Sequence, residues 1–142
     1  MDTKKLVMGT VVGGVVYFIL GWIIYGMLLM DMLAEHNNAA CMRPEADMIW
    51  WAMIAGNVGF GALLTFVFLK SGVASFGSGA QAGGMIAFLL SLSVDLMMYS
   101  TTNLMADMTG MVIDIGASTV MGVLAGGAIG MVLGSGAKPA ES

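Results

Sequence analysis

The stretch from Met108 to Gly134, MTGMVIDIGASTVMGVLAGGAIGMVLG, holds one ionisable residue, Asp114. It is long enough to cross ~30 Å of hydrocarbon at about 1.5 Å of helical rise per residue. Ser118, Gly122, Gly126, Gly130 and Gly134 recur at every fourth position and make one smooth helical face. Lipid gives helices no hydrophobic reason to associate, so faces of this kind hold them together by close backbone approach. Spanning strands would be about half as long and would alternate in polarity, which this stretch does not.

Three more apolar stretches lie upstream: Leu6 to Leu33, Met48 to Leu69, and about Ala80 to Asn103. The expected fold is therefore all-α: one integral membrane domain over 1–142, a four-helix bundle with antiparallel neighbours. Its helices lie at about 6–33, 48–69, 80–103 and 108–134. A polar loop, Ala34 to Asp47, follows the first helix. The Gly- and Ser-rich segment Lys70 to Gly79 joins the second to the third. A short turn around Leu104 to Asp107 makes the last two a hairpin, with Asp107 as N-cap of the fourth. The tail 135–142 is small and polar and is expected to be disordered.

Composition agrees. Hydrophobic residues make up 58% of the 142-residue chain and charged residues 10%, against roughly 25% charged in soluble domains. The single cysteine, Cys41, excludes an internal disulfide, and the single histidine, His36, excludes sites built from several His or Cys ligands within one chain. Lys4 and Lys5 precede the first apolar stretch, but that stretch is about twice as long as a signal-peptide core.

Basic residues set the expected orientation. Lys4, Lys5, Lys70 and Lys138 fall on one side of a four-span chain, and only Arg43 on the other. The expected location is the bacterial cytoplasmic membrane, with both termini cytoplasmic. Asp31, Glu35, Glu45, Asp47 and Asp107 then make the outer face acidic, and Trp50 and Trp51 open the second helix at that interface. Gly13-Gly14, Phe18, Leu20 and Met27 match Gly83-Gly84, Phe88, Leu90 and Met97 at a constant offset of 70. This suggests an internal repeat of helix pairs about an axis along the membrane normal, although the second and fourth helices align poorly.

Asp95 and Asp114 are the two acids well inside the spans. An Asp at a helix centre costs about 2.5–3.5 kcal/mol to insert, so such residues usually face the interior and serve something. Counting from Asn103 and Asp107, both lie ~10–12 Å below the outer boundary on adjacent helices. Tyr99 and Asn103 follow Asp95 at four-residue spacing, Ser118 follows Asp114, Asn57 lies near mid-depth on the second helix and Tyr25 in the outer half of the first. The expected site is an outward-facing polar pocket of Asp95, Asp114, Tyr99, Asn103, Asn57, Ser118 and Tyr25. It would bind a cation, a proton or a cationic solute. The alternative is a structural role, in which Asp95 bonds across an interface and the macrodipole favours Asp114.

Sixteen methionines, many in the outer half, leave copper handling as another reading, although they form no tight motif. A non-enzymatic accessory subunit, packing on a larger membrane complex or on copies of itself through its glycine faces, is a third. No catalytic signature appears, no cofactor is indicated, and the few bases make nucleic acid an implausible partner beside the lipid bilayer.

Gly21-Trp22-Ile23-Ile24-Tyr25-Gly26 with the apolar end that follows, and the third-segment run ending in small polar residues and Asn103, resemble a family of uncharacterised small bacterial four-helix membrane proteins, a domain of unknown function. The resemblance covers most of the chain and implies no activity. Small multidrug transporters are similar in size, but the Glu of their first helix is absent here.

Overall fold

The computed structural model describes residues 1–136 and is all-α. Five helices follow one another: α1 (Thr3–Ile23), α2 (Met30–His36), α3 (Trp50–Ser71), α4 (Phe76–Thr101) and α5 (Met108–Gly134). A π-turn, Ile24–Leu28, extends α1, and two 3-10 turns, Ala39–Cys41 and Glu45–Asp47, lie in the loop before α3. Thr3–Leu28, Trp50–Ser71, Phe76–Thr101 and Met108–Gly134 are long and apolar enough to cross a membrane. Of the expected tail, residues 137–142 lie outside the described residues.

Local chemistry explains where these helices start and stop. The side chains of Asp2, Ser75 and Asp107 accept backbone N–H bonds at the starts of α1, α4 and α5. Gly72 ends α3 at φ 72°, a left-handed conformation that glycine adopts without steric cost, and its N–H returns to the Phe68 carbonyl.

Two differences from the sequence expectation shape the fold; the other helix ends shift by no more than three residues. The single helix expected over 6–33 is broken. The Leu29 N–H reaches back to the Ile24 carbonyl at 2.8 Å, and Leu29 (φ −106°, ψ 0°) then leaves the helix before α2 begins. The break lets α2 fold across the start of α5, where Gly110 lies against His36. The third helix begins at Phe76 rather than near Ala80, because glycines that read as a loop are packing surface. Gly79 lies against Gly126 and Gly130, and the Phe76 ring covers Gly127.

The helices form two antiparallel hairpins, α1 with α3 and α4 with α5, and α1 also packs on α5. Both hairpins close through glycine. A Cβ added at Gly83 would meet the Gly122 carbonyl oxygen, and one at Gly61 would stand 2.6 Å from the Gly14 nitrogen. The two seams correspond. Gly9, Gly13 and Gly14 meet Thr65, Gly61 and Val58, while Gly79, Gly83 and Gly84 meet Gly130, Gly126 and Val123. The first helix of each pair keeps the offset of 70, but the second is offset by 65, which accounts for its poor alignment. The core obeys the same relation: Leu64 and Phe68 pack with Ile129 and Leu133.

The α5 glycine stripe is thus consumed inside the chain, and association with a partner would need another surface. Such surface is plentiful. Val7, Val11, Val15 and Ile19 form an exposed apolar row on α1, and Trp51 is 75% exposed. A surface this apolar is suited to a hydrocarbon solvent.

Filling the seam should be destabilising. Gly126→Val in detergent should lose about 1–3 kcal/mol of stability. Gly116→Ala, which meets open space, should stay within about 0.5 kcal/mol. Thermal unfolding of the two variants beside the parent checks both.

Candidate functional site

Two rows of residues at four-residue spacing face each other across the α4–α5 seam. On α4 the row reads Gly79, Gly83, Ala87, Ser91, Asp95; on α5 it reads Gly130, Gly126, Gly122, Ser118, Asp114. Side-chain size grows in step along both, from the lysine-bearing end toward the acidic end. Glycines bring the backbones together at one end, and carboxyls fill the widening space at the other. Asp95 and Asp114 end the two rows and line the same two cavities. Asp95 is 6% exposed, and its Oδ2 is buried with no hydrogen-bond partner.

Tyr25 completes this group from the π-turn. Its hydroxyl donates to the Asp114 backbone carbonyl at 3.3 Å and lies 3.1 Å from Ser118 Oγ. A π-turn rotates a side chain away from its α-helical direction and often occurs at functional sites. Tyr25 also stands where Asp95 stands in the second hairpin, at the shared offset of 70.

Two cavities meet at the carboxyls. The outer one, about 610 Å³, lies beneath α2 and the loops of the acidic end, and Met30, Met42, Met98 and Met105 contribute to its wall. The inner one, about 230 Å³, is bounded by Tyr17, Phe60, Leu90 and Val94. Asp95 and Asp114 line both.

The acidic end is tied down above the outer cavity. Asn37 and Met105 form an isolated antiparallel bridge, with Asn38 N–H donating to the Leu104 carbonyl and Ala106 N–H to the His36 carbonyl, both at 2.8 Å. His36 Nδ1 lies 2.7 Å from Asp107 Oδ2, and the other carboxylate oxygen accepts the Gly110 N–H at 3.0 Å. The Gly110 N–H bond, with His36 beside it, holds the Asp107 carboxyl below the usual carboxylate range.

No family model matches the chain, and no curated protein or solved structure matches it either.

Of the residues singled out in the sequence, Asp95, Asp114, Tyr25 and Ser118 come together. Three stand apart. Asn57 donates to the Met53 carbonyl at 2.7 Å and lines a separate groove with Phe18 and Ile54. Tyr99 is 39% exposed and borders neither cavity beside the carboxyls. Asn103 falls in the α4–α5 loop, because the helix stops at Thr101 and Thr102 is extended. Tyr17 and Phe60 went unnoticed in the sequence. Tyr17, Gly21 and Tyr25 do share four-residue spacing, which was the available signal for Tyr17. Nothing local marks Phe60.

The Asp107 contacts predict an acid-labile clasp. A carboxylate whose folded pKa is depressed contributes stability above its unfolded pKa of about 3.9. That contribution is lost as pH falls through the lower folded value. Amide exchange at Ala106 and Gly110 should therefore quicken below about pH 4. The acid-dependent step should vanish in Asp107→Asn; an equal step in the variant would show that another group causes it.

Proposed function

We propose that this chain is a multi-pass protein of the bacterial cytoplasmic membrane that binds a cation at Asp95 and Asp114, in exchange for a proton, as a step of transport or permeation. The lysine-bearing end is cytoplasmic and the acidic end faces outward, following the distribution of Lys4, Lys5 and Lys70. The correspondence of the α1–α3 and α4–α5 seams supports a duplicated hairpin with both copies in the same orientation.

The observation that carries this reading is the pair of facing carboxyls at the junction of two cavities, one with a buried oxygen left unpartnered. Ionised carboxylates only accept hydrogen bonds, so two facing carboxyls can bond directly only while the pair holds a proton. An arriving monovalent cation replaces that proton. The site passes from two carboxyls holding one proton to two carboxylates holding one monovalent cation, and its net charge is unchanged. That exchange avoids accumulating charge where hydration is poor. Tyr25 and Ser118 position the α5 segment that carries Asp114.

In weakly buffered detergent solution with a pH-sensitive dye, one of a panel of lithium, sodium, potassium and tetraethylammonium chlorides should release roughly one proton per protein. Asp95→Asn and Asp114→Asn should release none while unfolding at temperatures near that of the parent. A parent protein silent to every cation would end the proposal.

A second reading has its own observation, the four methionines on the outer cavity wall. Thioethers are ligands for Cu(I), for which silver is a stable probe. On this reading Met98→Leu with Met105→Leu lowers silver affinity at least about tenfold. Unchanged silver binding would leave these methionines as apolar lining.

A further inference from the structure

We infer that the cation is a small organic one, an ammonium carrying an alkyl or aromatic body, and that it reaches Asp95 sideways through a gap between α3 and α4. This rests on the reading of Asp95 and Asp114 as a cation site and names its ligand class.

The gap follows from an asymmetry between the hairpins. α1 closes on α5 along its length: Ile129 lies against Gly13, Met121 against Gly21, and Tyr25 bonds to Ser118. The corresponding pair, α4 against α3, meets only sparsely. Val73, Ala82 and Ile86 pack on the core toward the lysine-bearing end. Farther out, α3 leans on α1 through Val58 and Gly14, while α4 follows α5. The inner cavity occupies the space left between them, with Phe60 of α3 on one side and Leu90 and Val94 of α4 on the other. In a bilayer this gap faces acyl chains, so a ligand using it must be soluble in them.

The wall chemistry narrows the class. Tyr17 and Phe60 pack with ring centroids 4.4 Å apart at 41°, beside the two carboxyls. Aromatic faces attract cations, and quaternary ammonium groups are frequent guests of such walls. Metal ions of the calcium type take six to eight oxygen ligands. This cavity offers two carboxyls and a few hydroxyls among apolar groups, and among the described residues no cluster of three or more His, Cys, Asp or Glu could hold a metal. At about 230 Å³ the space is below the ~300–1,000 Å³ of sites for drug-sized molecules, so the ligand is small. The Asp95 carboxyl, which lines the cavity, supplies the counter-charge.

The probe is benzyltrimethylammonium, compared with sodium and potassium by calorimetry and by proton release on the full-length protein. The organic cation should bind and release a proton, and the inorganic ions at the same concentration should not. Asp95→Asn should abolish binding. Phe60→Leu should weaken it about fivefold, and Phe60→Tyr, which keeps the aromatic face, should restore it. Proton release by sodium or potassium with none by benzyltrimethylammonium overturns this inference and leaves the cation site standing. Silence toward every cation overturns both. Benzyltrimethylammonium binding that survives Asp95→Asn places the ligand elsewhere and also overturns it.

Discussion

The contact between bare helix backbones along the α4–α5 seam governs the rest of the molecule. Gly79 and Gly83 lie against Gly126, Gly122 and Gly130 with no room for a Cβ between them. A bilayer supplies no hydrophobic force to press helices together, so dispersion between closely fitted surfaces must do it. The closeness of that fit sets the spacing of everything carried on the two helices. Asp95 and Asp114 meet because they end rows of residues that begin in glycine contact. Had the rows begun with leucine, the two helices and the carboxyls they carry would stand farther apart.

The same logic explains where polarity is tolerated. The two rows pass through alanine and serine before reaching aspartate, so polar groups appear only where the helices have separated enough to accommodate them. Tyr25 enters from the remaining side, which α1 reaches because its own glycines bring it close to α3 and α5. The π-turn then aims the phenol at the α5 backbone. The cluster thus depends on three close approaches, and a fourth, between α3 and α4, is sparse. That sparseness turns a sealed buried pair into a group with a cavity behind it.

Much of the fold was legible because spanning a membrane imposes length and apolarity on a segment irrespective of its neighbours. The span expected at about 108–134 agrees with α5, whose start the capping Asp107 marks. The start of α4 was misplaced because Gly77, Ser78 and Gly79 carry opposite meanings in water and in packed helices. The break after Leu28 left no trace, since no proline or polar run announces it. At the site, depth along a helix could be counted, and it paired Asp95 with Asp114 correctly. Tyr99 shares the Asp95 face of α4 but lies beyond both cavities, and Asn103 lies past the helix end at Thr101, which four-residue spacing alone does not reveal. Asn57 failed for a different reason: its face of α3 turns to α1, a choice made by Gly61 and Thr65 meeting Gly13 and Gly9.

The matched seams bear on how such a chain is made. Each hairpin leaves and returns to the same side, so a second copy joined end to end enters the bilayer the same way round as the first. A tandem gene duplication could thus produce a working four-span protein in one event, with no redistribution of lysines to reverse one half. Two copies so joined could then diverge at corresponding positions, and Tyr25 and Asp95, at the shared offset of 70, stand at such a pair: a phenol that bonds to α5 in one hairpin and a carboxyl beside the cavities in the other.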